Sequence, residues 1–266
     1  MLPLARLPLA TARRVRAIFT DVDGTLTTDG KLLPSTYRAL WDWKQAGGLV
    51  VLVTGRAAGW AEAFFRLWPV DAAIAENGGI AFVQGRRGLE RVYAFAPEKL
   101  ERERRRMRMA ATAVERQVPG AALSSDSRYT EVDLAIDYNE ERRLGSRAAG
   151  EIERILRSRG FSAVRSSVHV NFWPGDFDKL STARLIARRL RLRAEELAYI
   201  GDSFNDQPMF RGLPLSIGVA NVRDVLEQLE HRPGYVTRAR AGKGFEEVVR
   251  SLLRARTQDS RLKTPN

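Results

Sequence analysis

A short apolar run, Ala17-Ile18-Phe19, stops abruptly at Asp21-Val22-Asp23-Gly24-Thr25. A buried strand gains nothing from two like charges at its end. Alternation along the strand puts both carboxylates on one side, where they repel unless a cation neutralises them. The feature therefore asks for a strand whose end lies at a ligand-bearing edge, with a cation among the ligands.

The neighbouring pattern says what kind of sheet that is. Residues 16–20 read as a strand, 35–46 as a helix behind Pro34 and before Gly47-Gly48, and 49–53 (LVVLV) as a continuous β-branched run of the kind buried in a parallel sheet. A helix over 57–67 and a strand over 72–75 complete a β-α-β-α-β order, the mark of a doubly wound sheet. From Gly78 to about Gly175 the rhythm changes. Strands are expected over 80–83 and 89–95 around a Gln84-Gly85 turn, and long helices over 97–118 and 140–159. A half-exposed alternating strand is expected at 131–138 (EVDLAIDY), with further strands over 161–165 and 168–173. After Pro174-Gly175 the βα rhythm returns, with helices at 180–190, 207–211, 222–230 and 245–254 and strands at 197–200, 215–219 and from 236. The expected organisation is an α/β core (1–83 and 175–266) interrupted by an α+β insertion (84–174). The last residues, from Arg256, read as a disordered tail.

Three further stretches fall where core strands should end: Thr54-Gly55-Arg56 after Val53, Gly201-Asp202-Ser203-Phe204-Asn205-Asp206 after Ile200, and Lys179 ahead of the helix leading to that strand. In an open parallel sheet ligands bind beyond the carboxyl ends of the strands, so Asp21, Asp23, Thr54, Asp202, Asn205 and Asp206 can converge. Carboxylates gathered at one edge call for a divalent cation, and all-oxygen ligation points to Mg²⁺.

Asp21-Val22-Asp23-Gly24-Thr25, Thr54-Gly55-Arg56, Lys179 and Gly201-Asp202-Ser203-x-Asn205-Asp206 resemble, in order and spacing, the four motifs of the haloacid dehalogenase (HAD) superfamily of phosphatases. The long interval between the second and third motifs resembles a C2-type cap, and its strand and helix order the IIB subtype, which includes sucrose phosphatase, mannosyl-3-phosphoglycerate phosphatase and the Cof-type enzymes. Glu76-Asn77-Gly78-Gly79 resembles the ENGG turn of several of these. In one departure, Leu180 follows the motif lysine where glycine is common. The resemblance implies a Rossmann-like core with a parallel sheet, an inserted α+β cap, and a Mg²⁺-dependent phosphatase. It makes Asp21 the nucleophile, Asp23 the general acid and base, and Lys179 and Thr54 the groups that hold and neutralise the phosphoryl oxygens. It implies phosphate or substrate contacts from Gly55, Arg56, Asn77 and Asn205, and metal ligation by Asp21, the Asp23 carbonyl, Asp202 and Asp206.

Composition narrows the remaining possibilities. The 266 residues carry a net charge of +12, but the arginines are spread over helices such as RERRRMRMA (102–110). The expected role of the positive field is to attract a small anionic metabolite, and no nucleic-acid partner is expected. No apolar run is long enough to span a membrane. The N-terminal fourteen residues, broken by Arg6, read as a frayed leader and not as a signal peptide. With no cysteine there is no disulfide framework or thiolate chemistry, and a cytoplasmic location is expected. His169, Trp60 and Phe172-Trp173 read first as packing or hydrogen-bonding residues, and Ala241-Gly242-Lys243-Gly244 as a turn before the last helix. The expected substrate is a sugar phosphate or a mannosyl-3-phosphoglycerate-like ester. A phosphomutase of the phosphomannomutase type, and a basic binding protein on a catalytically silent HAD scaffold, are the alternatives.

Overall fold

The structure, a computed structural model, describes residues 1–166 and 168–262. The chain opens with β1 (Leu2–Pro3), α1 (Leu9–Arg14), β2 (Ala17–Thr20), a small hairpin of β3 (Thr27–Thr28) and β4 (Lys31–Leu32), and α2 (Pro34–Gln45). β5 (Leu49–Val53), α3 (Ala58–Leu67), β6 (Ala72–Ala75), β7 (Ile80–Gly85) and β8 (Gly88–Tyr93) follow. Next come α4 (Leu100–Gln117), β9 (Ala122–Leu123), β10 (Leu134–Asp137), α5 (Gly145–Ser158), β11 (Ser162–Arg165) and β12 (His169–Trp173). The chain closes with α6 (Lys179–Arg189), β13 (Leu197–Gly201), α7 (Gln207–Gly212), β14 (Ser216–Gly218), β15 (Tyr235–Val236) and α8 (Ala241–Leu262).

Among the described residues, nine strands form one sheet in the order β1-β15-β14-β13-β2-β5-β6-β7-β8. It is parallel from β1 to β6, and β7 and β8 add an antiparallel edge. Alternation along the central strands feeds two apolar layers. Ile18, Val50 and Leu52 face a cluster with Trp43, Leu40, Phe245 and Leu252, whereas Phe19, Val51 and Val53 face one with Leu180, Ile186, Met209 and Phe210. A second, four-stranded antiparallel sheet, β11-β12-β10-β9, has its own core, in which Leu134, Ile136, Val170 and Phe172 pack on Met107 and Val114 of α4 and Ile152 and Leu156 of α5.

Several expectations change. The N-terminal segment is not a frayed leader, because β1 pairs in parallel with β15 and α1 packs near α8, where Arg13 Nε donates to the Ala255 carbonyl at 3.3 Å. Gln84-Gly85 is not a crossing into the inserted unit, because it belongs to a hairpin that keeps the chain in the large sheet as far as Tyr93. The strand in 131–138 is not half-exposed. All four residues of β10 are buried, and on their polar side Asn171 of the paired β12 donates to the Gly55 carbonyl and Asp133, just before β10, accepts from Asn77. The helix expected over 222–230 is a pair of short 3₁₀ turns, Ala220–Asp224 and Leu226–Gln228. The last helix starts at Ala241 and runs to Leu262, through most of the expected tail, and residues 263–266 lie outside the described residues.

The register sets up the site. Thr20 lies opposite Ile200 on one side and Leu52 on the other. Asp21 therefore emerges level with Gly201 and Val53, with Asp202 and Thr54 one residue beyond. β2 sits where the winding direction reverses, with β13 on one flank and β5 on the other, the switch point at which such sheets bind ligands.

Candidate active site

Lys179 anchors the centre. It is the first residue of α6, whose N-cap Asp178 accepts the Ser181 N–H at 2.7 Å. The first turn of α6 is pressed against the turn at Glu76–Gly78. Gly78 has φ +106°, a Cβ there would meet the Asp178 carbonyl at 2.2 Å, and Thr182 Oγ1 donates to the Gly78 carbonyl at 2.6 Å. The lysine is 1 % exposed, and its Nζ donates to Asp21 Oδ1 at 2.9 Å and to Asp206 Oδ1 at 2.7 Å. Its pKa is pushed up by the two carboxylates, against the opposing effect of burial. The ammonium is charged, and it points at Asp21, the residue expected to attack.

Asp206 is satisfied on both oxygens. Oδ1 accepts from Lys179 and the Tyr199 hydroxyl, and Oδ2 accepts the N–H groups of Asp202 and Ser203 at 2.8 and 3.0 Å. Asp202 accepts from Thr25 Oγ1 at 3.0 Å and from Asn221 Nδ2 at 2.7 Å, and Asn221 also donates to the Gly24 carbonyl at 3.0 Å. Gly24, at φ +73°, leaves room for this approach, since a Cβ would meet Asp202 Oδ2 at 2.6 Å.

One oxygen from each of Asp21, Asp202 and Asp206 lies within 4.8 Å of the others, and all three residues are buried. In this concentration of charge, burial first, together with Asp206 and Asp23, pushes Asp21 up to about 7 against the pull of Lys179. Burial first, then Asp21 and Asp206, push Asp202 well above the usual carboxylate range. A cluster so reluctant to ionise alone, built from hard oxygens, fits a divalent cation.

The remaining expected residues surround Asp21. Thr54, buried at the end of β5, accepts the Arg56 N–H on Oγ1 at 3.0 Å. Arg56 forks onto Asp23, Nε to Oδ2 at 2.8 Å and Nη2 to Oδ1 at 2.9 Å. Gly55 accepts on its carbonyl from Asn171 Nδ2 at 3.1 Å. Asn205 Nδ2 donates to Asn77 Oδ1 at 3.1 Å, and its own Oδ1 accepts from Ser203. Asn77, expected near phosphate, has both ends of its amide on protein partners, its Nδ2 donating to Asp133 at 3.4 Å.

Sequence reasoning missed the contribution of the second sheet. Asp137 lies opposite His169 and Ala135 opposite Asn171, so one face of that sheet turns polar groups to the large sheet's edge. Asn171 and Asn77 both donate to Asp133, whose pKa burial and the neighbouring Glu76 push well above normal. Glu76 is not exposed to any ligand. Its Oε1 accepts the N–H groups of Ala58 and Glu131, both at 2.8 Å, and its Oε2 those of Val132 and Asp133 at 2.5 and 2.7 Å. Glu76 and Asn77 hold left-handed φ values of +51° and +54° to make this turn. Asn221 and Tyr199 were missed as well, since nothing in the pattern of a loop asparagine or a strand tyrosine announces a carboxylate partner.

Asp21, Asp23, Thr54, Gly55, Arg56, Ser203 and Asn205 from the core, with His169 and Asn171 of β12 and Ser166 and Val168 from the connection before it, line a cavity of only about 20 Å³, room for one water.

This fold, with its acidic edge and buried lysine, matches the haloacid dehalogenase-like hydrolase family model over residues 18–99 and 88–232, and the chain belongs to that family. It is a phosphatase-type hydrolase, similar over most of its length to proteins named phosphoglycolate phosphatase. The protein of that name from Archaeoglobus fulgidus is 30 % identical over 89 % of this chain and 96 % of its own length. That from Methanosarcina acetivorans is 29 % identical over 90 % and 97 %. Among solved structures, a Thermoplasma acidophilum protein superposes with TM-score 0.71 at 20 % identity, covering 90 % of this chain and 98 % of its own. Sucrose-phosphatase from Synechocystis superposes with TM-score 0.64 at 14 % identity, with coverage of 90 % and 98 %.

Proposed function

We propose that the chain is a Mg²⁺-dependent phosphatase that hydrolyses the phosphomonoester of a small carboxylic acid of the 2-phosphoglycolate type through an aspartyl-phosphate on Asp21. The observation that carries the reading is the buried Asp21–Lys179–Asp206 arrangement beside Asp202, at the end of the central strand. The substrate class draws on the names of the similar proteins.

In this reading Asp21, the carbonyl of Asp23, Asp202 and Asp206 would hold the cation. Mg²⁺ bound there would supply charge neutralisation for the phosphoryl oxygens. Asp21 attacks phosphorus and the ester oxygen leaves with a proton from Asp23. Asp23 then takes a proton from the water that hydrolyses the acyl phosphate. Lys179 faces Asp21 and counters charge on the transferring group, and Thr54 with the Gly55 N–H borders the phosphoryl oxygens. Asn205 is positioned by Asn77, which acts through it. Asp23 can serve only after Arg56 lets go of it, so opening and refilling of the cavity belong to the cycle. Residues from about 94 to 174 act as the lid.

Phosphate release from a panel containing 2-phosphoglycolate, hexose phosphates and p-nitrophenyl phosphate, with Mg²⁺ and then with EDTA, tests the reading. Release that is metal-dependent and highest on 2-phosphoglycolate is expected. Undiminished release in EDTA, or a hexose phosphate as the best ester, overturns it in the corresponding part.

A further inference from the structure

The cavity has one feature that the proposed chemistry does not use. The Arg56 guanidinium binds a second carboxylate besides Asp23. Nη2 donates to Glu140 Oε1 at 2.8 Å and Nη1 to Glu140 Oε2 at 3.3 Å, while His169 Nε2 lies 2.9 Å from the same Oε2. The fork holds the carboxylate, and the imidazole stands beside it with Nε2 buried and without a hydrogen bond of its own; both line the cavity with Asp21 and Asp23.

Resting on the phosphatase reading above, we propose that Arg56 and His169 are the seat for the substrate's own carboxylate, and that Glu140 occupies this seat in the free protein. Three observations converge on it. The cavity has room for one water, so any phosphorylated substrate must displace something. The Glu140 side chain is 36 % exposed, against 17 % for Arg56 and 7 % for His169, so it is the one that can swing into solvent. Its loop is also built to deliver it, because Asp137 Oδ1 accepts the N–H groups of Asn139 and Glu140, and Oδ2 that of Glu141, at 2.9 to 3.0 Å. Asp137 lies directly opposite His169 in the sheet, so the stand-in carboxylate and the imidazole are carried by the same rigid element.

Arg56 holds both Asp23 oxygens while Glu140 is in place, so its guanidinium carries two carboxylates at once and an incoming carboxylate replaces only Glu140. The class of substrate selected is a short phosphorylated hydroxy acid, with its carboxylate carbon at least two bonds beyond the ester oxygen.

The test compares 2-phosphoglycolate with ethyl phosphate, which has the same carbon count but no carboxylate, in the wild type, His169→Gln and Glu140→Gln with Mg²⁺. His169→Gln should reduce the kcat/KM preference for 2-phosphoglycolate about tenfold, the worth of one charge-assisted hydrogen bond. Glu140→Gln should increase that preference, because the neutral amide competes less well for the seat. Preferences unchanged in both variants overturn the proposal. Equal gains on both esters in Glu140→Gln also overturn it, because Glu140 is then a lid latch and nothing more. Should the wild type release phosphate from neither ester nor from p-nitrophenyl phosphate, the phosphatase reading itself fails. Glycolate binding by calorimetry then decides the seat, with weaker binding in His169→Gln supporting it and unchanged or absent binding refuting it.

Discussion

Replacing Glu76 by glutamine tests how the two sheets are joined. The carboxylate is 0 % exposed and receives four main-chain N–H groups, two on each oxygen, from α3 (Ala58) and from the segment Glu131-Val132-Asp133 that leads into β10. Each of these partners is a donor, so the geometry accommodates only the ionised form, even though burial raises its pKa against the pull of those donors. An amide has one oxygen. Whichever way the glutamine side chain is turned, its NH₂ group confronts two N–H donors and leaves both unpartnered and buried. At about 1–3 kcal/mol for each unsatisfied group, Glu76→Gln should cost roughly 2–6 kcal/mol. The lost stability should concentrate at the junction, so amide exchange at residues 131–133 should accelerate much more than exchange within α8. Urea unfolding measures the total and amide exchange locates it. A change within about 0.5 kcal/mol, or uniform acceleration throughout the chain, would refute the reasoning.

Two further outcomes follow from the acidic cluster. Asp21 ionises near 7 in the folded protein, above its ordinary 3.8, so in the absence of metal its ionisation progressively lowers stability as pH rises from about 4 to about 7. Asp21→Asn lacks that decline. The stability difference between the variant and the wild type in EDTA should be small at pH 4 and level off above pH 7, with an upper bound of roughly 4 kcal/mol set by the pKa change and reduced by the lost Lys179 contact. Thermal unfolding across that range checks it, and a difference independent of pH contradicts it. Asp202→Ala removes a ligand and strands Thr25 and Asn221. The Mg²⁺ concentration giving half-maximal activity should rise at least about tenfold, read from a metal titration of phosphate release, and an unchanged Mg²⁺ requirement would count against Asp202 as a ligand.

Much of this was legible in the sequence because it follows from local rules. The run LVVLV reads as a strand of the kind buried in a parallel sheet, and the parallel register brings Asp21, Thr54 and Asp202 to one edge. Lys179 stood out only through its order and spacing among the motifs of the family resemblance, since a lone lysine ahead of a helix reads as a surface residue. What escaped notice depends on the second sheet's facing. In EVDLAIDY the apolar alternation is conspicuous, but the same alternation also lines up Asp133, Ala135 and Asp137 on the opposite face, next to His169 and Asn171 across the strands. A polar face reads as a wet face unless one knows what covers it. Glu76 and Glu140 were hidden for a related reason, because their partners are main-chain amides and an arginine from remote segments. The Gln84-Gly85 turn misled because a hairpin signal does not say whether the returning strand stays in the same sheet.

The central claim is that Asp21 carries the phosphoryl group, and chemical trapping tests it most directly. Enzyme quenched in acid during turnover of 2-phosphoglycolate with Mg²⁺, then treated with borohydride, should yield a peptide containing residues 17–25 in which the acyl phosphate at Asp21 has been reduced to homoserine. Reduction located at another carboxylate, or an unmodified Asp21 in enzyme that is demonstrably turning over, would contradict the account.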